Sequence, residues 1–313
     1  MATAYINQER FGVEFEDRIN KLVNVDPDKT PFTSMVQKSE ASRNRVDWQT
    51  HVLDASNKDN AGVDGADVTN AAANYTAPTG LFNYTQIPQR PYGASFSYDA
   101  INKPGIGSGG KSGLNAEKVR KSKVLKLDIE AMFLSNNDRV QPLPESTQAG
   151  KIRGIQRWIT TNIITATTPV YGAAILSSKM FWDLAKKCVD SGGEPETVFA
   201  NSFARMKINE FVGPPTRDID SLGRKIMHMV DIIESIAGPQ QIVFSRELKD
   251  DSGNQTVLLM LEMKYWEQRW LRAPQAYIKG LAGSRTDAWI ESEQTLVAWA
   301  EKTSGKIVSM AAA

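Results

Sequence analysis

The chain has 313 residues, with 37 Lys and Arg against 36 Asp and Glu, and it is 41% hydrophobic and 23% charged. That length can bury a sizeable core, and the composition is that of an ordinary folded protein. The balanced charge argues against a dedicated nucleic-acid binder, which carries a basic excess, although charge segregated onto one surface stays open.

A single cysteine, Cys188, excludes an intrachain disulfide framework and a multi-cysteine zinc site. Met1 to Arg10 lacks the basic flank and apolar core of a signal peptide, and no apolar run approaches the ~20 residues of a membrane helix. The expected setting is a reducing one inside a cell, or a particle assembled there, with no membrane partner.

Residues 1–43 read as an arm. Phe15, Ile19, Leu22 and Val23 fall at helical spacing and predict one short amphipathic helix, ending near Asp26-Pro27. Arg45 to Leu53 reads as a strand. Asp54 to Gly80 is a polar stretch of Asn, Asp, Gly, Ala and Thr whose one large apolar residue is Tyr75. Leu81 to Tyr98 is a second strand-like run. The simplest arrangement is a long two-stranded arm with the polar stretch at its tip. Such a hairpin is marginal alone in water, so it is expected to pack on other chains. The plainer alternative is a flexible surface insertion.

Ile106 to Gly113 reads as a flexible joint, followed by a long helix over 114–136. Val124, Leu127, Ala131 and Leu134 form one stripe, and Leu125, Ile129, Met132 and Phe133 continue it, so the helix is more buried than a surface helix. Lys118, Arg120, Lys121, Lys123 and Lys126 precede Asp128 and Glu130. That order opposes the helix dipole. Either these charges answer an external partner or a solvated face tolerates the small penalty. Residues 137–172 are loop-rich around an apolar run, Ile155 to Ile164. Helices are predicted over Ser177–Val189 and Glu196–Phe211, stopped by Gly192-Gly193 and by Pro214-Pro215. Strands are predicted over 225–234, 241–248, 256–263, 288–293, 295–300 and 306–310. The whole is α+β, with a helical middle and a strand-rich end.

Gly105-Ile-Gly-Ser-Gly-Gly-Lys-Ser112 matches the phosphate-loop pattern letter for letter. Its context differs: that loop leaves a buried apolar strand, whereas Tyr98 to Pro104 is polar and ends in proline. A nucleotide hydrolase is therefore the enzyme alternative, and a Gly/Ser/Lys joint is the plainer reading. His51 and His228 are the only histidines and lie far from Cys188 in sequence, the carboxylates form no defensible acid–base pair, and no nucleophile elbow is present. No catalytic residue, metal or cofactor is expected. Tyr265 to Arg272 interleaves Trp266 and Trp270 with arginines. That pattern reads either as a nucleic-acid platform or, in better accord with the balanced charge, as core and subunit contact.

Several segments resemble a known family when taken in order. They are Thr30-Pro-Phe-Thr-Ser-Met35, Val46-Asp-Trp-Gln-Thr50 with Leu53-Asp54, Leu127-Asp-Ile-Glu130, Gly154-Ile155 with Trp158 and Thr161-Asn162, Gly192-Gly193 with Pro195, Leu271-Arg-Ala-Pro274, and Glu291 to Leu296. The set resembles tailed-bacteriophage major capsid proteins of the Hong Kong 97-type fold, most of all the SU-ten major-head family.

The resemblance implies an N-terminal arm (1–43) and an extended loop (44–98). It implies a peripheral domain (99–139 plus 285–313, with a spine helix at 114–136) and a mainly axial domain (140–284). It implies self-assembly through pentamers and hexamers into an icosahedral or prolate head around double-stranded DNA, in the virion and assembled in the bacterial cytoplasm. Scaffolding, portal and decoration proteins and non-specific contact with packaged DNA are further implied partners. Another phage structural protein, of tail or decoration type, is the remaining alternative. Contacts between copies are expected at Phe32, Trp48, Tyr75, Tyr84, Lys118, Lys121, Asp128, Glu130, Trp266, Trp270 and Arg272. Hinges are expected at Gly105, Gly107, Gly109, Gly110 and Gly113.

Overall fold

The computed structural model describes residues 29–53, 56–59, 61–65, 77–97, 113–143, 145, 147–167, 171, 175–211, 231–249, 255–279 and 283–311. The predicted helix at 15–23, Tyr75, Gly105, Gly107, Gly109, Gly110, the Gly105–Ser112 motif and His228 lie outside these residues.

The described residues open with a one-turn helix, α1 (Pro31–Met35), and a short strand, β1 (Gln37–Glu40). Strands β2 (Arg45–Thr50) and β3 (Thr79–Tyr84) pair antiparallel as a two-stranded sheet, Arg45 opposite Tyr84 and Thr50 opposite Thr79. The expected hairpin is therefore present. The single strand-like run expected from Leu81 onward divides, however. Its second half is β4 (Gln89–Ser95), which leaves the hairpin and pairs with β11 (Arg285–Ala298).

The long helix, α2, spans Gly113–Leu134. Its carboxyl-terminal half is buried at Leu125, Ile129, Met132, Phe133 and Leu134. In its amino-terminal half only Gly113 is buried among residues 113–124. α3 (Ile155–Trp158) and β5 (Ile163–Thr165) divide the expected apolar run. α4 (Ser178–Asp190) starts at the Ser177 cap, whose hydroxyl accepts from the Met180 N–H. It stops where Gly192 adopts φ +82, a left-handed conformation that glycine reaches without strain.

The predicted helix at 196–211 is a strand followed by a helix, β6 (Thr197–Ala200) and α5 (Ser202–Phe211). Thr-Val-Phe-Ala is buried on both faces, so no alternation marks it as a strand. β7 (Ile232–Ser235), β8 (Gly238–Phe244), β9 (Gln255–Leu261) and β12 (Gly305–Ala311) match the predicted strand-rich end. β11 joins into one strand two segments expected to be separate. β10 (Trp266–Lys279) was not expected. Register shifts between Trp270 and Gln275, around Pro274, break the period that would have revealed it.

Two larger sheets result. One has four strands in the order β1-β10-β11-β4, and the other has six in the order β5-β12-β9-β6-β8-β7. Residues 266–279 join the sheet beneath α2, and residues 305–311 join the six-stranded sheet.

The centre of the six-stranded sheet separates two cores. Phe199, Leu259 and Leu261 face a core with Phe32, Phe133, Ile155 and Trp158. Their neighbours Val198, Ala200, Leu258 and Met260 face another with Met180, Phe181, Leu184 and Ile208. This is the two-residue period of a strand, apolar on both sides. Each large side chain so buried contributes about 1.5–3 kcal/mol.

Candidate assembly interface

Three features carry residues expected at contacts between copies: the anchored arm, the root of the β2–β3 hairpin, and the exposed half of α2.

The arm is tied down at Phe32. Its ring is fully buried, edge-on to Phe133 and Phe199, each with centroids 5.9 Å away. The Phe32 and Thr33 N–H groups, left unpaired by the start of α1, both donate to the Glu130 carboxylate at 2.8 Å. Burial pushes the Glu130 pKa up, and these N–H bonds only partly oppose it. Beyond α1, β1 runs parallel to β10. There Ser39 Oγ, Arg269 and the Trp299 indole donate to Glu267. Burial alone would raise the Glu267 carboxyl, but these donors outweigh it and hold the pKa lowered.

The hairpin root is fixed by polar bonds to β11. Trp48 Nε1 donates to the Ala298 carbonyl at 2.9 Å, and the ring packs on Trp158. Asn83 Nδ2 donates to the Leu296 carbonyl at 2.8 Å, while its Oδ1 accepts from Arg153 N–H at 2.9 Å. Thr295 Oγ1 donates to the Tyr84 carbonyl, and Thr85 Oγ1 to Glu293. Arg272 bridges Glu293 and Glu291 at 2.9 and 2.7 Å. Arg139 lies over the Phe82 ring at 3.7 Å and donates to the Phe82 carbonyl, joining the root to the carboxyl end of α2. Farther out, the described residues Val52, Leu53 and Val63 expose 56%, 88% and 78% of their surface.

A model of the SU10 major capsid protein family matches residues 2–311. The chain belongs to that family. It is a bacteriophage major capsid protein, a structural component of the virion that assembles with itself into a shell. Among solved structures, a chain of Mycobacterium phage Ogopogo is similar with TM-score 0.64 at 12% identity, over 97% of this chain and 99% of its own. The capsid of Cyanophage P-SCSP1u gives 0.62 at 10% identity, over 97% and 98%. The SrpI encapsulin of Synechococcus elongatus PCC 7942 gives 0.58 at 8% identity, over 98% and 96%. At such identities the likeness concerns the fold alone, and that fold is the Hong Kong 97-type. No curated protein matches the sequence.

The capsid protein places its expected contact residues in two classes. Phe32, Glu130 and Trp266 are interior groups of one chain, and Trp48 nearly so. Trp266 is fully buried with its Nε1 bonded to Ser304 Oγ, so it offers no face for a stacked base and the nucleic-acid platform does not form there. Asp128 is taken within the chain by Arg90 of β4, which donates two hydrogen bonds to it. Asp128 and Glu130 of α2 thus both have partners within the chain. Sequence reasoning missed this because Phe32 and Arg90 are distant along the chain. Tyr84 and Trp270 are half-buried, Lys121 is partly exposed, and Lys118 and Arg272 are exposed. Gly113 is the buried first residue of α2. Cys188 is buried and its thiol is pushed up to about 12 by burial, which makes it a packing residue. Among the described residues no group of three or more His, Cys, Asp and Glu is placed to hold a metal ion.

Proposed function

We propose that the capsid protein forms pentamers and hexamers that close into an icosahedral or prolate head around double-stranded DNA, without enzymatic activity. The observation that carries this reading is the hairpin. Two strands are anchored at their root to β11, yet they lead to residues whose aliphatic side chains remain exposed. A two-stranded ribbon lacks a core of its own, and cover from a neighbouring copy supplies one.

In this reading residues 1–43 are the arm and 44–98 the extended loop. The unit carrying α2 and the four-stranded sheet is peripheral, and the unit carrying the six-stranded sheet is axial. The sheet pairings support moving 266–279 to the peripheral unit and 305–311 to the axial one. The glycine-rich joint at 105–113 is a hinge that lets one chain occupy inequivalent positions. Scaffolding, portal and decoration proteins are further partners, the packaged DNA is contacted through its phosphates without sequence reading, and assembly takes place in the host cytoplasm.

The test is negative-stain electron microscopy with light scattering on the purified protein. Shells, tubes or capsomer rings are expected. A monodisperse monomer across protein and salt concentrations, also when co-expressed with the phage's other head genes, would overturn the reading.

A further inference from the structure

A cleft of about 770 Å³ opens where α1 meets the six-stranded sheet. It is lined by the start of α1 with Lys29 before it, by Arg205 of α5, and by β8 from Gln241 to Phe244. Pro31, Val243 and Phe244 make part of it apolar, and Phe244 is 37% exposed although Ile242 and Ser245 beside it are buried. Lys29 is exposed at the rim. Arg205 has 16% of its side chain exposed and donates to Asp231 at 2.6 Å, but its Nε–H is buried with no acceptor among the described residues. A buried donor without an acceptor is costly, the more so on a charged group. The cleft is therefore short of an anion and has apolar surface to cover.

Residues 1–28, which join the described structure at Lys29, carry that combination. They contain six acidic residues against three basic, a net charge of −3. At about 100° per residue, Phe11, Phe15, Ile19 and Leu22 fall within one arc of roughly 80°. Glu14 and Glu16 flank Phe15 on either side of that arc. Glu14 has Arg10 and Arg18 four positions away, and Asp17 has Lys21, so these acids have partners at helical spacing. Glu16 has no basic residue three or four positions away on either side, which leaves its charge for another surface.

The tether is also right. The twelve residues between Glu16 and Lys29 span at most about 40 Å, so the apolar stripe stays within reach of the cleft and at high effective concentration there. Residues 212–230 end beside Arg205 as well, at its partner Asp231, but they carry three basic residues against two acidic and do not complement it.

We propose that this cleft is the seat of the chain's own amino-terminal segment, with Phe15 against Phe244 and the Glu16 carboxylate on Arg205 and Lys29. The contact lies within one chain, so it stands apart from the self-assembly reading. It covers an apolar stripe that would otherwise face water in the single subunit. It also holds the segment on its own subunit, away from any other copy, until it is displaced. The charges at the rim make the seat weaken with salt.

The test uses the full chain, as a dilute unassembled subunit, carrying Phe15→Cys and Phe244→Cys. Cys188 is buried and does not compete. Oxidation is expected to give a disulfide-linked monomer at least about tenfold faster than in a Phe15→Cys/Ile278→Cys control, whose second site is 69% exposed on the four-stranded sheet. Adding Glu16→Arg is expected to slow the link by about threefold or more, and adding Arg205→Glu to that chain to restore it. Circular dichroism identical to wild type shows that the variants fold. A benzophenone side chain at position 15, in an otherwise unchanged chain, is expected to crosslink within 202–211 or 241–244 by mass spectrometry. Three results would overturn the proposal. The first is a disulfide no faster than the control, with benzophenone crosslinks elsewhere. The second is a covalent dimer in place of the linked monomer, which gives the cleft to another copy. The third is an unchanged rate with Glu16→Arg, which removes the charge complementarity that selects this segment.

Discussion

Replacing Glu130 by alanine tests how the arm is held. Two N–H groups lose their acceptor, and that of Phe32 lies in a fully buried residue. A buried donor without a partner costs about 1–3 kcal/mol, and bonds to a charged acceptor are worth about 1.5–3 kcal/mol each. Against this, burial disfavours the carboxylate itself, as its raised pKa shows, so part of the gain is already offset. The net expectation for Glu130→Ala is a loss of about 2–4 kcal/mol. It should be read by urea unfolding of the unassembled subunit, with faster hydrogen exchange confined first to residues 31–40.

Glu130→Gln adds the sign. Burial, the largest influence, raises the folded-state pKa; Glu247 adds to it, and the N–H bonds from Phe32 and Thr33 act in the opposite direction. The stability linked to this carboxyl is then fully present below the unfolded pKa and is lost as pH rises through the folded one. The stability of wild type relative to Glu130→Gln should therefore fall as pH is raised across that window. A loss below about 0.5 kcal/mol in Glu130→Ala, with unchanged exchange at 31–40, would refute the idea that this carboxylate holds the arm, since that is the range of ordinary surface substitutions.

Other outcomes follow from the same contacts. Asn83→Ala removes bonds to Leu296 and Arg153 at the hairpin root and should cost about 2–4 kcal/mol, seen as a lower thermal midpoint of the subunit. Gly192→Ala and Gly193→Ala should differ. Position 192 has open space but φ +82, at a cost of about 1–2 kcal/mol, whereas a Cβ at 193 would meet the Thr303 backbone at 2.5 Å and should lower the yield of folded protein far more. Cys188 should resist thiol reagents in the native subunit and react at once in denaturant, since it is buried and its thiol is pushed up to about 12.

The long helix, the hairpin and most of the carboxyl-terminal strands were legible because each carries a clean period or a turn signal. α4 was legible to within a residue, through Ser177 at its start and the glycine pair at its end. β10 was not, because its register slips near Pro274. β6 was absorbed into the helix that follows it, since four consecutive buried residues show neither a two-residue nor a 3.6-residue period. At the candidate interface, the basic half of α2 was visible as charge. The use of Asp128 and Glu130 was not, because a carboxylate's partner depends on strands and turns distant in sequence, which no local pattern encodes.

β6 and β9 form a party wall between two rooms. Phe199 and Leu259 furnish one side, Val198 and Leu258 the other, and both rooms lose their lining if the wall is taken down. Neither core can open alone without exposing the other, so the interior of the subunit should melt in one step. A shell built from such units has its rigidity set at the wall. Its capacity to change shape is then left to parts outside both rooms, which are the exposed amino-terminal half of α2 and the exposed residues beyond the root of the ribbon, Val52, Leu53 and Val63 among them.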